Sequence, residues 1–91
     1  MLDLRYGSKF KRDYKRVIKR PHHKPELFSN VVKMLAEELP LPPQYRDHAL
    51  IGNYIGFREC HILPDWLLIY KIEAETLTLV LTRTGSHSDL F

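Results

Sequence analysis

The sequence predicts an α+β domain in two layers: an antiparallel sheet of three to five strands with two N-terminal helices packed on one face. Three observations carry this. Two apolar stripes at helical spacing lie before Pro40, three β-rich runs lie after Gly52, and only short turns separate those runs. Ninety-one residues fit one domain, 1–91, with no room for a second core.

The elements follow in order. Leu2 to Arg5 reads as a short extra strand. Ser8 is placed to cap a helix reaching about Arg20, on which Phe10, Tyr14, Val17 and Ile18 recur at i, i+4, i+7 and i+8, and Pro21 ends it. His22-His23-Lys24 reads as an exposed link. A second helix starts near Pro25-Glu26, turns Leu27, Phe28, Val31, Val32, Leu35 and Leu39 inward, and stops at Pro40. Prolines 40, 42 and 43 stiffen the connection into Tyr45-Arg46-Asp47-His48, which reads as a loop. Strands are expected over 53–62, 66–72 and 77–83, with turns at Pro64-Asp65 and Glu73-Ala74-Glu75. Trp66-Leu67-Leu68-Ile69-Tyr70 is apolar on both faces, so it belongs at the centre of the sheet, and the helices bury their stripes against one side of it. Trp66 and Tyr70 are expected in the core, with Cys60 as a small buried hydrophobe.

Composition excludes several function classes. Apolar residues at 44% and charged residues at 27% are ordinary globular usage. The longest apolar runs are as short as 66–70, whereas a spanning helix needs roughly 20 residues, so no membrane partner is expected. Met1-Leu2-Asp3-Leu4-Arg5 lacks the basic start and apolar block of a secretory signal, and the single Cys60 forms neither a bridge nor a Cys-x-x-Cys site; a cytoplasmic location is the expectation. The net charge of +3 is uneven. Residues 1–33 hold ten Lys or Arg against Asp3, Asp13 and Glu26, a balance of +7, and the remainder carries −4. Such clustering attracts polyanions, although a solvated helix face accounts for the same pattern.

His48, His61, Asp65 and His87 all fall near element ends, where loops on a rigid scaffold carry chemistry and imidazoles exchange protons near neutral pH. Each would serve equally as an ordinary turn residue. A three-histidine metal site at His48, His61 and His87 competes with this reading, but no closely spaced ligand pair supports it, and no metal or other cofactor is expected. Glycines 7, 52, 56 and 85 stand singly, so there is neither a phosphate-cradling loop nor a nucleophile elbow.

Six segments occur together in one order: the basic first helix, Leu39-Pro40-Leu41-Pro42, Tyr45-Arg46-Asp47-His48-Ala49-Leu50, Gly56-Phe57-Arg58-Glu59-Cys60-His61, Pro64-Asp65-Trp66-Leu67-Leu68-Ile69-Tyr70, and Arg83-Thr84-Gly85-Ser86-His87 with Leu90-Phe91. In this combination the chain resembles the YafQ-like branch of the RelE superfamily, ribonuclease toxins of type II toxin–antitoxin systems. The resemblance implies a RelE-like fold and metal-independent cleavage of mRNA on the translating ribosome, with adenine-rich codons favoured. It implies a cognate ribbon-helix-helix antitoxin that wraps the toxin and brings it to operator DNA. It further implies His48, His61, Asp65, His87 and Phe91 as the active residues. RNA carries its own nucleophile, the 2′-hydroxyl, so a base, an acid and charge stabilisation suffice. On that basis His87 protonates the leaving 5′-oxygen, Asp65 or His61 takes the 2′-hydroxyl proton, His48 and Arg58 hold the phosphate, and Phe91 stacks on a base. Arg83 either contacts phosphate or ends a strand. Lys11, Arg12, Lys15 and Arg16 dock on ribosomal RNA. The rival readings are a non-catalytic, protein-binding toxin of ParE type on the same fold and an RNA-binding module without turnover. Asp89 stands out as a negative charge beside the catalytic set.

Overall fold

A computed structural model, describing residues 1–91, contains β1 (Asp3–Tyr6), α1 (Ser8–Val17), α2 (Pro25–Ala36), β2 (His48–Ala49), β3 (Arg58–Leu63), β4 (Trp66–Glu73), β5 (Thr78–Gly85) and α3 (His87–Leu90). Single 3-10 turns occupy Pro43–Tyr45, Gly52–Tyr54 and Ala74–Thr76. One five-stranded sheet has the order β1-β5-β4-β3-β2. Its four later strands pair antiparallel through short turns, as expected, whereas β1 pairs parallel to β5. The difference is topological: the chain returns to β5 only after both helices and three strands, a connection long enough for parallel pairing.

α1 and α2 cover one face. Phe10, Val17, Val31, Val32 and Leu35 meet Cys60, Ile62, Trp66, Leu68, Tyr70, Leu79 and Leu81 there, with Tyr14, Ile18, Leu27 and Phe28 partly buried around them. On the opposite face Leu67 and Ile69 meet Leu90 of α3, flanked by Leu50, Tyr54 and Phe57. Every residue from Trp66 to Tyr70 is at most 1% exposed, so β4 is the central, doubly covered strand that its sequence demands. The Trp66 indole N–H donates to the Thr84 hydroxyl at 2.9 Å, which donates to the Leu67 carbonyl at 2.7 Å, so this buried polar pair is satisfied within the sheet.

Several boundaries differ from expectation, each for a local reason. Gly7, not Ser8, is the N-cap of α1, and no side chain caps it. Close approach selects the glycine: a Cβ there would lie 3.1 Å from the Leu81 carbonyl oxygen. α1 stops at Val17 and α2 at Ala36, three residues short of Leu39. Glu38 adopts φ 57, and Leu39 N–H donates to the Met34 carbonyl while Glu38 N–H donates to that of Leu35, the paired bonds of a Schellman end. Residues 53–57, expected as strand, instead fold over the open sheet face, and His48–Ala49, expected as loop, form the edge strand β2. His23 is also not exposed; it is 8% accessible and stacks on the Trp66 ring at 4.4 Å and 4°. A broad apolar ring at the sheet surface is covered more completely by a flat imidazole than by water.

Candidate active site

Strand alternation sorts the β3 side chains. Cys60 and Ile62 belong to the helix-side core, so Glu59 and His61 project from the other face. β2 then sets His48 opposite Glu59 in register. The result is a row in which one carboxylate oxygen, Glu59 Oε1, lies 3.5 Å from His48 Nε2 and 3.7 Å from His61 Nε2. Glu59 is 6% exposed, and its second oxygen has no hydrogen-bond partner.

The tautomers follow from the other ring nitrogens. His48 Nδ1 is 2.6 Å from the Arg46 carbonyl oxygen and His61 Nδ1 is 3.2 Å from that of Pro64. A carbonyl only accepts, so each Nδ1 carries a hydrogen, and each ring turns its Nε2 toward Glu59. Two imidazole nitrogens therefore face one buried carboxylate. Glu59 was absent from the residues singled out by sequence. The signal lay in its i, i+2 relation to His61 within a strand, which puts both on one face.

The C-terminal segment, expected as a tail, is the helical turn α3. Ser86 Oγ accepts from Asp89 N–H at 3.2 Å and Asp89 Oδ2 accepts from Ser86 N–H at 2.8 Å, a reciprocal cap. Arg20 donates twice to Asp89, at 2.6 and 3.3 Å, tying α3 to the end of the first helical segment. Those bonds and the Ser86 amide hold the Asp89 carboxyl well below the usual carboxylate range. Asp89 is thus a structural anchor and not a stray charge beside the site. Gly85 is required for it, since a Cβ there would come within 2.8 Å of Asp89 Oδ2.

α3 docks on the open face through Leu90 and so presents His87 and Phe91 on the side that carries His48, Glu59 and His61. The His87 ring stacks on Phe91 at 5.1 Å, Phe91 meets Tyr54 edge-on at 5.8 Å, and Tyr54 meets Phe57 at 5.9 Å. Phe91 remains 55% exposed. His61 pairs with Leu67, and Leu67 with Gly85, so His87 begins two residues past a point two strand spacings, about 10 Å, from His61. Tyr54 and Phe57 extend the aromatic wall and were not anticipated, because their stretch reads as strand.

The remaining candidates separate. Asp65, in the β3–β4 turn, lines an open groove of about 800 Å³ with Arg20, His22 and His23, on the helix-link side of the turn. Arg58 lies on the helix side of the sheet, beyond the end of α2, where its Nε donates to Asp47 at 3.3 Å and Tyr70 OH donates to the same oxygen at 2.5 Å. Burial, reinforced by Asp47, pushes the Tyr70 phenol above its usual range. Arg58 is therefore not beside His48: it stands two residues before Cys60 and shares its face. Arg83 is occupied as well. A register shift between Ile69 and Tyr70 sets it opposite Ile69 on the open face, where it stays beside Tyr54 of the aromatic wall while donating to Asp13 at 2.6 and 3.2 Å at the sheet edge. Lys11, Arg12, Lys15 and Arg16 are exposed on α1, with Arg16 also 3.3 Å from Asp13. No group of three or more His, Cys, Asp or Glu is arranged to hold a metal ion, and His48, His61 and His87 do not converge as a ligand set. No helix is long and apolar enough to cross a membrane.

The chain as a whole has known relatives. The family model described as "Bacterial toxin of type II toxin-antitoxin system, YafQ" matches residues 2–91. The mRNA interferase toxin YafQ of Escherichia coli strain K12 is 37% identical over 89 residues, covering 98% of this chain and 95% of that protein. A metal-bound toxin from Helicobacter pylori superposes with a TM-score of 0.92 at 46% identity over all of both chains. A chain of the E. coli DinJ–YafQ complex superposes at 0.85 with 35% identity, over 100% of this chain and 99% of that one.

Proposed function

Because the chain belongs to the YafQ family of bacterial type II toxins, and is accordingly an mRNA interferase, an endoribonuclease, we propose that its open sheet face cuts mRNA by attack of the 2′-hydroxyl on the neighbouring phosphate. The observation that carries this is the pair of histidine Nε2 atoms around the buried Glu59. His61 is the general base: its Nε2 faces the site, and the Pro64 carbonyl fixes its ring. Glu59 stabilises the imidazolium formed when His61 takes the proton, and His48 completes the cluster from β2. Asp65 faces the helix-link groove, which favours His61 over Asp65 as the base and leaves Asp65 to hold the turn and the substrate beside it. His87 protonates the leaving 5′-oxygen from the other side of the phosphate. Phe91 stacks on an unpaired base against the wall of Tyr54 and His87, a contact worth about 1–3 kcal/mol.

The partners follow from the same reading. The mRNA is met on the ribosome in the cytoplasm, and the exposed bases Lys11, Arg12, Lys15 and Arg16 dock on ribosomal RNA. A cognate antitoxin, as DinJ is for YafQ of E. coli, restrains the toxin, and operator DNA is reached through that complex.

The deciding experiment adds the chain to a translating extract and maps the 5′ ends of cut messages, with and without a chelator. Cleavage that survives chelation and disappears in His87→Ala supports the mechanism. Cleavage that the chelator abolishes, or full activity in His87→Ala, refutes it; binding without any cut ends would favour a non-catalytic toxin.

A further inference from the structure

On the helix side of the sheet, behind the reacting row, three polar side chains meet that the chemistry does not use. Asp47 Oδ1 accepts from Arg58 Nε at 3.3 Å and from the Tyr70 hydroxyl at 2.5 Å. Tyr70 is 1% exposed, so its hydroxyl is an immobile post at the rim of the core. Asp47 immediately precedes His48, and successive side chains of an extended chain point to opposite faces. The residue next to an active-site imidazole is therefore fastened through the sheet from behind.

His48 needs such a fastening. Its strand β2 is two residues long, lies at the sheet edge and has both residues exposed. The His48 side chain is itself 50% exposed, so no packing holds it. So short an edge strand, with few buried contacts, belongs to the part of a fold that opens most readily. The ring is aimed by the Arg46 carbonyl, which accepts from Nδ1 at 2.6 Å. Arg46 sits at φ 48 and ψ 41, the left-handed region that a residue with a side chain keeps only where its surroundings enforce it. On one side its N–H is tied to the Pro43 carbonyl at 3.0 Å. On the other, its carbonyl shares a rigid peptide plane with the Asp47 amide, so anchoring Asp47 limits the swing of the group that aims the ring. His61 differs: it lies within β3, paired with Leu67, and its side chain is 19% exposed.

Resting on the nuclease reading above, we propose that Asp47, Arg58 and Tyr70 form a clip that positions His48 against Glu59. The clip touches no RNA and acts on cleavage only through the placing of that imidazole.

The test measures single-turnover cutting of mRNA on programmed ribosomes by the full chain, separating the rate plateau from the half-saturating toxin concentration. NMR in mildly alkaline buffer follows the ring nitrogens of His48 and His61. Tyr70→Phe removes only the hydroxyl, and Asp47→Ala removes the shared acceptor. The plateau should fall about threefold or more in the first and about tenfold or more in the second, with half-saturation within about twofold and circular dichroism unchanged. Asp47→Asn keeps an oxygen for both donors and should stay within about twofold of wild type. In Tyr70→Phe and Asp47→Ala the His48 ring should lose its fixed Nδ1–H form, while His61 keeps its own. In a His48→Ala background, Tyr70→Phe should add no further loss. All these variants retain Arg58, so a phosphate contact by that residue would survive them. A wild-type plateau with an unmoved His48 signal in Tyr70→Phe overturns the clip. So does a further loss on top of His48→Ala, or a raised half-saturation at an unchanged plateau, which would assign the cluster to RNA binding. A wild type that cuts no mRNA overturns the nuclease reading beneath, and the His48 signals still decide whether the clip holds the ring.

Discussion

Two buried carboxylates, Asp13 and Glu59, are 4% and 6% exposed, and the molecule treats them in opposite ways. Asp13 accepts from Arg83 Nε at 2.6 Å, from a second Arg83 nitrogen at 3.2 Å, from the Thr84 amide at 3.2 Å and from Arg16 at 3.3 Å. Its charge is fully answered, and it clamps α1 to the edge of β5 where β1 has ended. Glu59 has two imidazoles beyond hydrogen-bond distance and one oxygen with no partner at all. Burying a carboxylate costs several kcal/mol unless it is paired. A fold that satisfies the first and leaves the second wanting is using them for different ends: Asp13 holds structure, and Glu59 holds two imidazoles at the site.

The largest effect that would break this comparison is on stability. Asp13→Ala strands Arg83 and opens the Thr84 amide, and should cost about 3–5 kcal/mol in urea unfolding. A loss below about 1 kcal/mol would show that Asp13 is no clamp. On the other side, His61→Ala should leave the unfolding midpoint nearly unchanged and lower cleavage roughly 10²- to 10⁴-fold, as for loss of a positioned base. Equal loss of stability and activity would make His61 a structural residue. Glu59→Gln sharpens the contrast further. Replacing a poorly paired buried charge by its neutral isostere should keep stability or raise it by up to about 1 kcal/mol, while cleavage falls about tenfold or more and its pH profile changes. A destabilised Glu59→Gln with an unaltered profile would place Glu59 with Asp13.

How much of this was legible in the sequence depends on the reach of each signal. The run 66–70 announced a central strand because burial on both faces leaves no polar position, and the helix stripes and proline stops were equally local. The row His48, Glu59, His61 was half legible. Both histidines stand out as residue types, but Glu59 passes for a solvent-facing strand residue until a two-residue β2 is paired against it across the eight-residue loop 50–57 between β2 and β3. Arg58 was misassigned because its neighbour Glu59 faces the site and strand parity sends Arg58 to the other side. The placing of Arg83 opposite Ile69 depends on a one-residue register shift, which no pattern of hydrophobicity encodes. α3 hid as a tail because four residues are too few for a stripe; its signature was the cap Ser86-x-x-Asp89.

That cap supports the smallest of the expected effects, in which an anchoring carboxylate of the Asp13 kind lies within a turn of the chemistry. The Arg20 bonds depress the folded Asp89 carboxyl below its unfolded value near 4. A group whose folded pKa is lowered contributes stability that is present above the unfolded value and lost as pH falls through the folded one. The contribution is therefore complete at neutral pH and disappears in acid, and for a partly exposed pair it amounts to about 1 kcal/mol or less. Asp89→Asn should flatten the fall of unfolding free energy below pH about 4 by that amount. At neutral pH the same variant should lower cleavage only severalfold, through a looser α3 and a less fixed His87, with KM affected along with kcat. Acid stability identical to wild type would show that Arg20 and Asp89 form no effective pair. A cleavage loss as deep as that of His61→Ala would move Asp89 from the anchoring class of Asp13 into the reacting class of Glu59.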